Sequence, residues 1–322
     1  MRSITVDLGG TRTKVGLVEN GNVTAAMILD ARSDGKLSDS LPGIEEAVDH
    51  LIRNNDYKIS DFAGIGFAYP GIVNYGKKKI ISPSGKYEDG PSLDLEKWCE
   101  EKFGIGMVIE NDANAALLGE MEYGCARDYE SAVLMILGTG VGTAAVIEGK
   151  ILRGKHHQAG CLGGHFITSV NGNKCTCGGT GCLEANASTW ALPGITKKYE
   201  GFSRSGLSTE EVINFRNLEK WARKGDALAE EVLEQCILQW SAGIVNLIHA
   251  YDPEVVIMSG GVMMGRELIL PTVIKKVREW AWTPWGEVEF VVSENPEQSV
   301  LLGLHSLVEE MGDYYGKTCF KL

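Results

Sequence analysis

Asp7-Leu-Gly-Gly-Thr-Arg-Thr-Lys14 is the stretch on which the reading of this chain turns. Residues 3–8 are apolar and β-prone, Gly9-Gly10-Thr11 is a turn, and residues 14–18 form a second apolar strand. A further turn at Glu19-Asn20-Gly21 is of the kind that joins antiparallel strands. The pattern returns at residues 131–148, around Gly138-Thr139-Gly140-Val141-Gly142. A shift of 129 residues carries Gly9 onto Gly138, Leu17 onto Val146 and Glu19 onto Glu148. Such a repeat predicts two lobes built on one plan, each offering a glycine-tipped hairpin to a shared cleft.

Working outward, apolar spacing predicts helices over residues 43–55, 94–103, 112–121, 268–280 and 299–311, with residues 209–250 helical and ending in a long apolar-periodic stretch from Ala227. Buried strands are expected at 64–68, 106–110, 255–258 and 288–292, and residues 150–188 read as loop. Alternating strands and helices give the α/β class. The length, 322 residues, exceeds what one core usually organises.

Composition narrows the function. Charged residues at 23% and hydrophobic residues at 44% fit a globular chain and exclude a coiled coil or a disordered one. The net charge, 31 − 43 = −12, disfavours a nucleic-acid partner, which needs a basic face. No run of 18 apolar residues occurs, so no membrane span is expected. Asp7 interrupts what would be the apolar core of a signal peptide, which points to the cytoplasm. Forty glycines, about 12% against roughly 7% on average, require many close backbone approaches to backbone or ligand.

Three segments carry chemistry. At the Asp7 hairpin, glycine-exposed N–H groups could cradle phosphate and Asp7 could hold Mg²⁺ through water; a plain turn is the simpler reading. Four of eight cysteines, Cys161, Cys175, Cys177 and Cys182, cluster, and in a cytoplasmic chain this points to metal before disulfides. His165 with Cys175, Cys177 and Cys182 offers one nitrogen and three sulfurs, a set suited to tetrahedral Zn²⁺, against the alternative of buried thiols; Cys161 is left outside. Glu110-Asn-Asp-Ala-Asn114 sits where a strand turns into a helix, so it is either a cap or a cleft carboxylate, Asp112, acting as general base. A Walker A loop is excluded. Gly316-Lys317-Thr318 would need a glycine where Met311 stands.

Taken together, these motifs resemble the ROK family of sugar kinases and sugar-responsive repressors, within the hexokinase–actin ATPase fold. The resemblance covers nearly the whole chain. Asp7-Leu-Gly-Gly-Thr11 looks like the family's first phosphate motif and Leu137-Gly-Thr-Gly-Val-Gly142 like its second. Glu110-Asn-Asp-Ala-Asn-Ala115 is similar to the segment with the catalytic aspartate. Cys175-x-Cys-Gly-x-x-Gly-Cys-Leu-Glu184 resembles the zinc loop, with His165 as fourth ligand. Asp252-Pro-Glu-Val-Val-Ile-Met-Ser-Gly-Gly-Val262 resembles the adenosine-binding segment.

The resemblance implies two RNase H-like lobes of actin/hexokinase type around a central cleft, with a zinc-binding loop. It implies a small lobe over 1–113, a large lobe over 114–298 and a helix over 299–322 packing back on the small lobe. ATP–Mg²⁺ would be held by Asp7, Gly9, Gly10, Thr11, Lys14, Gly138, Thr139 and Gly140, with Gly260 and Gly261 at adenosine. Gly71, Asn111, Asp112, His165 and Glu184 would bind a hexose or derivative, and Asp112 would take the proton of its 6-hydroxyl. Zinc is then structural, and a homodimer or homotetramer is expected. Trp280, Trp282 and Trp285 are read as either a dimer patch or a buried corner.

Two departures stand out. Where family kinases carry Glu-x-Gly-His, this chain has Ala159-Gly-Cys-Leu-Gly-Gly-His165, and Ser82-Pro-Ser-Gly-Lys-Tyr87 lacks the asparagine of the glucokinase branch. Family repressors carry an N-terminal helix-turn-helix domain. Here the opening hairpin begins at Ser3, which points to a kinase, with a sugar sensor lacking kinase activity as the alternative.

Overall fold

The computed structural model describes residues 1–31, 33–82 and 85–318, residues 313–318 as backbone only. Pro83 and Ser84 of the Ser82-to-Tyr87 loop lie outside the described residues. The chain divides into two compact units: Met1–Asp128 with Arg153–Ala159 and the chain from Glu294 onward, and Tyr129–Leu152 with Gly160–Ser293.

In the first unit, β1 (Arg2–Leu8), β2 (Arg12–Glu19) and β3 (Asn22–Asp30) form an antiparallel meander. Helix α1 (Leu41–Asn54) buries Ile44, Ala47, Val48, Leu51 and Ile52, one apolar stripe at three- and four-residue spacing. Pro42 at its first turn forfeits no hydrogen bond. Strand β4 (Ile65–Tyr69) then pairs parallel with β1; β5 (Ile72–Asn74) and β6 (Lys79–Ser82) form a small hairpin that apolar periodicity did not signal. After α2 (Leu95–Phe103), β7 (Met107–Asn111) pairs parallel with β4 and runs directly into α3 (Asp112–Glu122). The sheet order is β3-β2-β1-β4-β7.

The second unit repeats this plan. β8 (Ala132–Leu137), β9 (Val141–Ile147) and β10 (Lys150–Ile151) make the meander. The short helix α4 (Leu183–Ala187) interrupts the segment read as loop, and α5 (Leu192–Thr196) follows it. The helical region from 209 consists of α6 (Phe215–Ala222) and the expected long helix α7 (Ala227–Tyr251), which starts afresh where Asp226 accepts from Ala229 N–H and caps it. β11 (Val255–Ser259), α8 (Arg266–Trp280) and β12 (Glu289–Val292) complete a sheet of order β10-β9-β8-β11-β12. Strand ends keep the 129-residue offset: Leu8 with Leu137, and Arg12 with Val141. Its core gathers Val133, Met135, Leu183, Ile237, Trp240, Ile244 and Val256.

The last helix, α9 (Pro296–Thr318), returns to the first unit and packs on α3 and β1. The approach to α3 is close enough to need glycine on both helices. A Cβ on Gly119 would strike the Ser299 carbonyl, and one on Gly303 the Ala115 carbonyl. Buried His305 fastens the same helix, with Nδ1 2.7 Å from Ser3 Oγ and Nε2 accepting from Gly21 N–H at 3.2 Å. This packing sets α3 in the first unit, whereas the sequence reading began the large lobe at residue 114. Trp280, Trp282 and Trp285 are 41%, 81% and 54% exposed, which removes the buried-corner reading. Among the described residues, no helix is long and apolar enough to cross a membrane.

Candidate active site

The parallel strands β1, β4 and β7 bring their carboxyl ends side by side, the usual location of ligands on open α/β sheets. Asp7 stands opposite Ala68, and Tyr69 opposite Asn111. The capping and functional readings of this segment are divided between neighbours. Asn111 caps α3, its Oδ1 accepting from Ala113 and Asn114 N–H at 3.0 and 3.1 Å. Its Nδ2 donates to the Gly71 carbonyl at 3.1 Å and to Asp112 Oδ1 at 3.0 Å. Asp112 Oδ1 also accepts from Ala113 N–H at 2.9 Å. Asn111 Nδ2 and Ala113 N–H thus both fall on Oδ1, and the Asp112 N–H also bonds its own carboxyl. Gly71 is fixed as glycine because a Cβ would meet the Ser82 carbonyl and the Tyr69 ring.

Burial pushes the Asp112 carboxyl above the usual range, against the pull of the Lys86 charge and its hydrogen bonds. Asp7 is raised to about 7, first by burial and then by the charge of Asp112, with Lys14 opposing. Behind them Glu110, 1% exposed, accepts from Asn111 N–H and Asn114 Nδ2 on Oε1, at 2.8 and 3.0 Å. Its Oε2 takes Arg153 Nε at 2.6 Å, and the guanidinium lies 4.2 Å from the Tyr75 ring centroid. This pair, buried on the Glu110 side, orients the peptide that carries Asn111 and Asp112. A partner 43 residues away gives no local sequence signal, and the sequence reading missed it.

At the first turn, the Tyr87 hydroxyl donates to the Gly9 carbonyl at 3.1 Å and Ser33 Oγ donates to the Gly10 carbonyl. The Lys86 side chain crosses Gly10. Thr11 is exposed. Lys14 pairs with Glu297 at 2.6 Å, beside Asp7 in register. Lys86 and Tyr87 were legible only as members of the quoted loop.

In the second unit, Gly138 N–H donates to the Gly140 carbonyl at 3.1 Å, closing the turn, and Trp190 N–H donates to the Thr139 carbonyl at 3.1 Å. Glu184 is drawn onto this turn: Oε2 accepts from Val141 N–H at 3.0 Å and Oε1 from Trp190 Nε1 at 3.2 Å. A Cβ on Gly140 would strike that carboxylate. Gly260, at φ +95°, lies against the Leu137 carbonyl and passes the chain to Gly261, which opens a short 3₁₀ turn. The extra glycine of the Gly163-Gly164 pair is explained by β9: the two press on Thr143 and the Val141 carbonyl, and Gly163 N–H donates to Thr143 Oγ1 at 2.8 Å.

The donor atoms of His165, Cys175, Cys177 and Cys182 all lie within 4.8 Å of one another. Zinc bonds of about 2.3 Å to sulfur and about 2.0 Å to nitrogen place tetrahedral donors roughly 3.5–3.8 Å apart. The Cys175 Sγ to His165 Nδ1 and Cys177 Sγ to Cys182 Sγ separations are both 3.6 Å, so the set fits zinc and leaves the sulfurs too far apart for a disulfide. Cys161 is not part of this cluster.

Two sheets of one topology, with paired carboxylates beside a glycine turn in the first unit, give an α/β architecture consistent with the actin–hexokinase class of ATPase folds. The family model of that class described as ROK family matches residues 3–311, and the chain belongs to the ROK family. It is 30% identical over 317 residues to a glucokinase of Thermotoga maritima, covering 96% of this chain and 98% of the relative. A ROK family glucokinase from Streptomyces griseus, solved with glucose and AMPPNP, superposes with a TM-score of 0.79 at 25% identity, covering 96% of this chain and all of that one. A xylose repressor of Bacillus spizizenii is 25% identical over 266 residues, covering 82% of this chain and 66% of the repressor.

Proposed function

We propose that this protein is an ATP-dependent sugar kinase that phosphorylates a hexose or hexose derivative at the 6-hydroxyl, with Asp112 as general base. One observation carries the reading. Asp112 is held at the start of α3 by Asn111 Nδ2 and Ala113 N–H on Oδ1, and burial raises its carboxyl above the usual range, which favours a role as base. The proton of the sugar hydroxyl passes to Asp112 Oδ2. The sugar oxygen–phosphorus bond forms as the bond from γ-phosphorus to the β,γ-bridging oxygen breaks, and ADP leaves.

The glycine turns at Gly9-Gly10-Thr11 and Gly138-Thr139-Gly140 offer N–H groups to the phosphates, so rate comes mainly from positioning and electrostatics. Asp7 would hold Mg²⁺ through water, and the cation would neutralise phosphate charge. In the second unit, zinc supplies no chemistry to the sugar; His165, Cys175, Cys177 and Cys182 would hold it, ordering the loop from which His165 and Glu184 serve as sugar ligands. Likeness to a glucokinase over nearly full length supports this assignment.

The test is a panel of hexoses and N-acetylhexosamines with ATP in a coupled ADP assay. At least one sugar is expected to turn over, and Asp112→Asn should abolish that turnover while sugar binding persists. A fully active Asp112→Asn variant would overturn the mechanism. The likeness to xylose repressors favours a second reading, a sugar sensor without kinase activity. Sugar-dependent thermal stabilisation without turnover on any sugar would select it.

A further inference from the structure

The first glycine turn carries a cation that neither the hydrogen-bonding network nor the folding of the turn uses. Gly10 has no positive φ, so its backbone does not require glycine. A Cβ there would meet one side chain, that of Lys86, with Nζ at 2.9 Å and Cε at 3.1 Å. The missing side chain makes room for the ammonium. Lys14, the cation expected at this turn, is committed to Glu297. The Lys86 ammonium makes no ion pair or hydrogen bond among the described residues.

The backbone behind Lys86 is firmly placed. The Tyr69 hydroxyl donates to the Lys86 carbonyl at 3.1 Å, Tyr87 N–H donates to the Ser33 carbonyl at 2.8 Å, and the buried Tyr87 hydroxyl donates to the Gly9 carbonyl. Tyr87 itself is held at φ +52°, a conformation that costs a non-glycine residue energy and tends to persist where a site needs it. The charge facing this ammonium in the first unit is that of Asp112 at the start of α3; Asp112 in turn faces Asp7 on β1, which has Lys14 of β2 and Glu297 of α9 beside it. Without Lys86, two carboxylates would confront an incoming triphosphate at a turn whose nearest lysine is already neutralised.

We propose that Lys86 is a catalytic residue whose ammonium binds the γ-phosphoryl group while it passes from ADP to the sugar oxygen. The proposal rests on the kinase reading above and adds to it a residue of the Ser82-to-Tyr87 loop, which lacks the asparagine of the glucokinase branch. Phosphoryl transfer spreads negative charge over the equatorial oxygens, and a fixed cation beside them acts most strongly in the transition state.

The experiment measures kcat, sugar KM and the pH dependence of kcat/KM for wild type, Lys86→Met, Lys86→Arg and Gly10→Ala, on the sugar turned over best. Lys86→Met should lower kcat by about a hundredfold with sugar KM changed little, the scale of losing one preorganised donor. Lys86→Arg should recover about a tenth or more of the wild-type rate, and Gly10→Ala, which displaces the ammonium without deleting it, should fall between. The acid limb should move to higher pH in Lys86→Met, since Asp112 loses the charge that holds it down. Unchanged kcat in Lys86→Met with an active wild type overturns the proposal and leaves the kinase reading standing. A raised sugar KM with kcat intact also overturns it and transfers the ammonium to the sugar. Absence of wild-type turnover on every sugar ends both.

Discussion

The two glycine turns share a backbone plan and differ in what the surrounding chain places on them. Each closes an antiparallel pair whose first strand continues into a parallel sheet, at the same 129-residue offset. On the first turn stand two raised carboxylates, an ammonium and a tyrosine hydroxyl. On the second, Glu184 reaches across from α4 to hold Val141 N–H, and its loop continues into the metal-ligand cluster. A duplicated scaffold can thus carry different chemistry on its two copies. On the proposed function, proton transfer and charge fall to the first turn, and placement of ligands to the second.

That division can be broken in several places. Cys182→Ser removes a buried donor from the tetrahedral set. We expect zinc content to fall to near zero, the melting temperature to drop by several degrees and sugar KM to rise at least tenfold, with kcat much less affected. Elemental analysis, thermal melts and steady-state kinetics check this; a comparable collapse of kcat would bring the metal into the chemistry.

The next effect is at the ion pair between half-buried Arg153 and buried Glu110. Arg153→Met strands the Glu110 charge and should cost about 3 kcal/mol of the first unit's stability. Glu110→Gln in the same background should restore part of that loss in denaturant titrations. An additive double variant would show that the pair does not act as a pair.

The paired carboxylates make a prediction about pH. Folded Asp7 keeps its proton to about pH 7, against an ordinary value of 3.8. The folded chain therefore binds more protons in that window, and the stability contributed by this site falls as pH rises from about 4 to about 7. Asp7→Asn should flatten that slope, and Mg²⁺–ATP should oppose it in the wild type. A slope of the opposite sign would place the carboxylate in a different environment.

The smallest expected effect is at the second turn. Gly140→Ala pushes on the flexible end of Glu184 rather than on backbone. ATP KM should rise roughly three- to tenfold with kcat within about threefold of wild type.

Much of this organisation was legible before any coordinates. The hairpin repeat predicted the paired strands to within about two residues at each end because glycine turns and apolar alternation are local signals. The metal donors were legible for the same reason, all four lying within 18 residues. What stayed hidden depends on distant partners. Arg153 on Glu110, Lys86 over Gly10 and Glu184 on Val141 are contacts that tertiary folding creates. The placement of α3 escaped for a similar reason: its neighbour α9 is far along the chain, and the glycines that let them touch look unremarkable in sequence.

The most direct test of the division sets Asp112→Asn beside Glu184→Gln, with kcat, sugar KM and sugar Kd measured on the same substrate. The account predicts that Asp112→Asn loses kcat by about a thousandfold or more with Kd nearly unchanged, whereas Glu184→Gln raises KM and Kd together with kcat within about tenfold of wild type. The reverse pattern, with chemistry lost at Glu184 and only binding lost at Asp112, would contradict it.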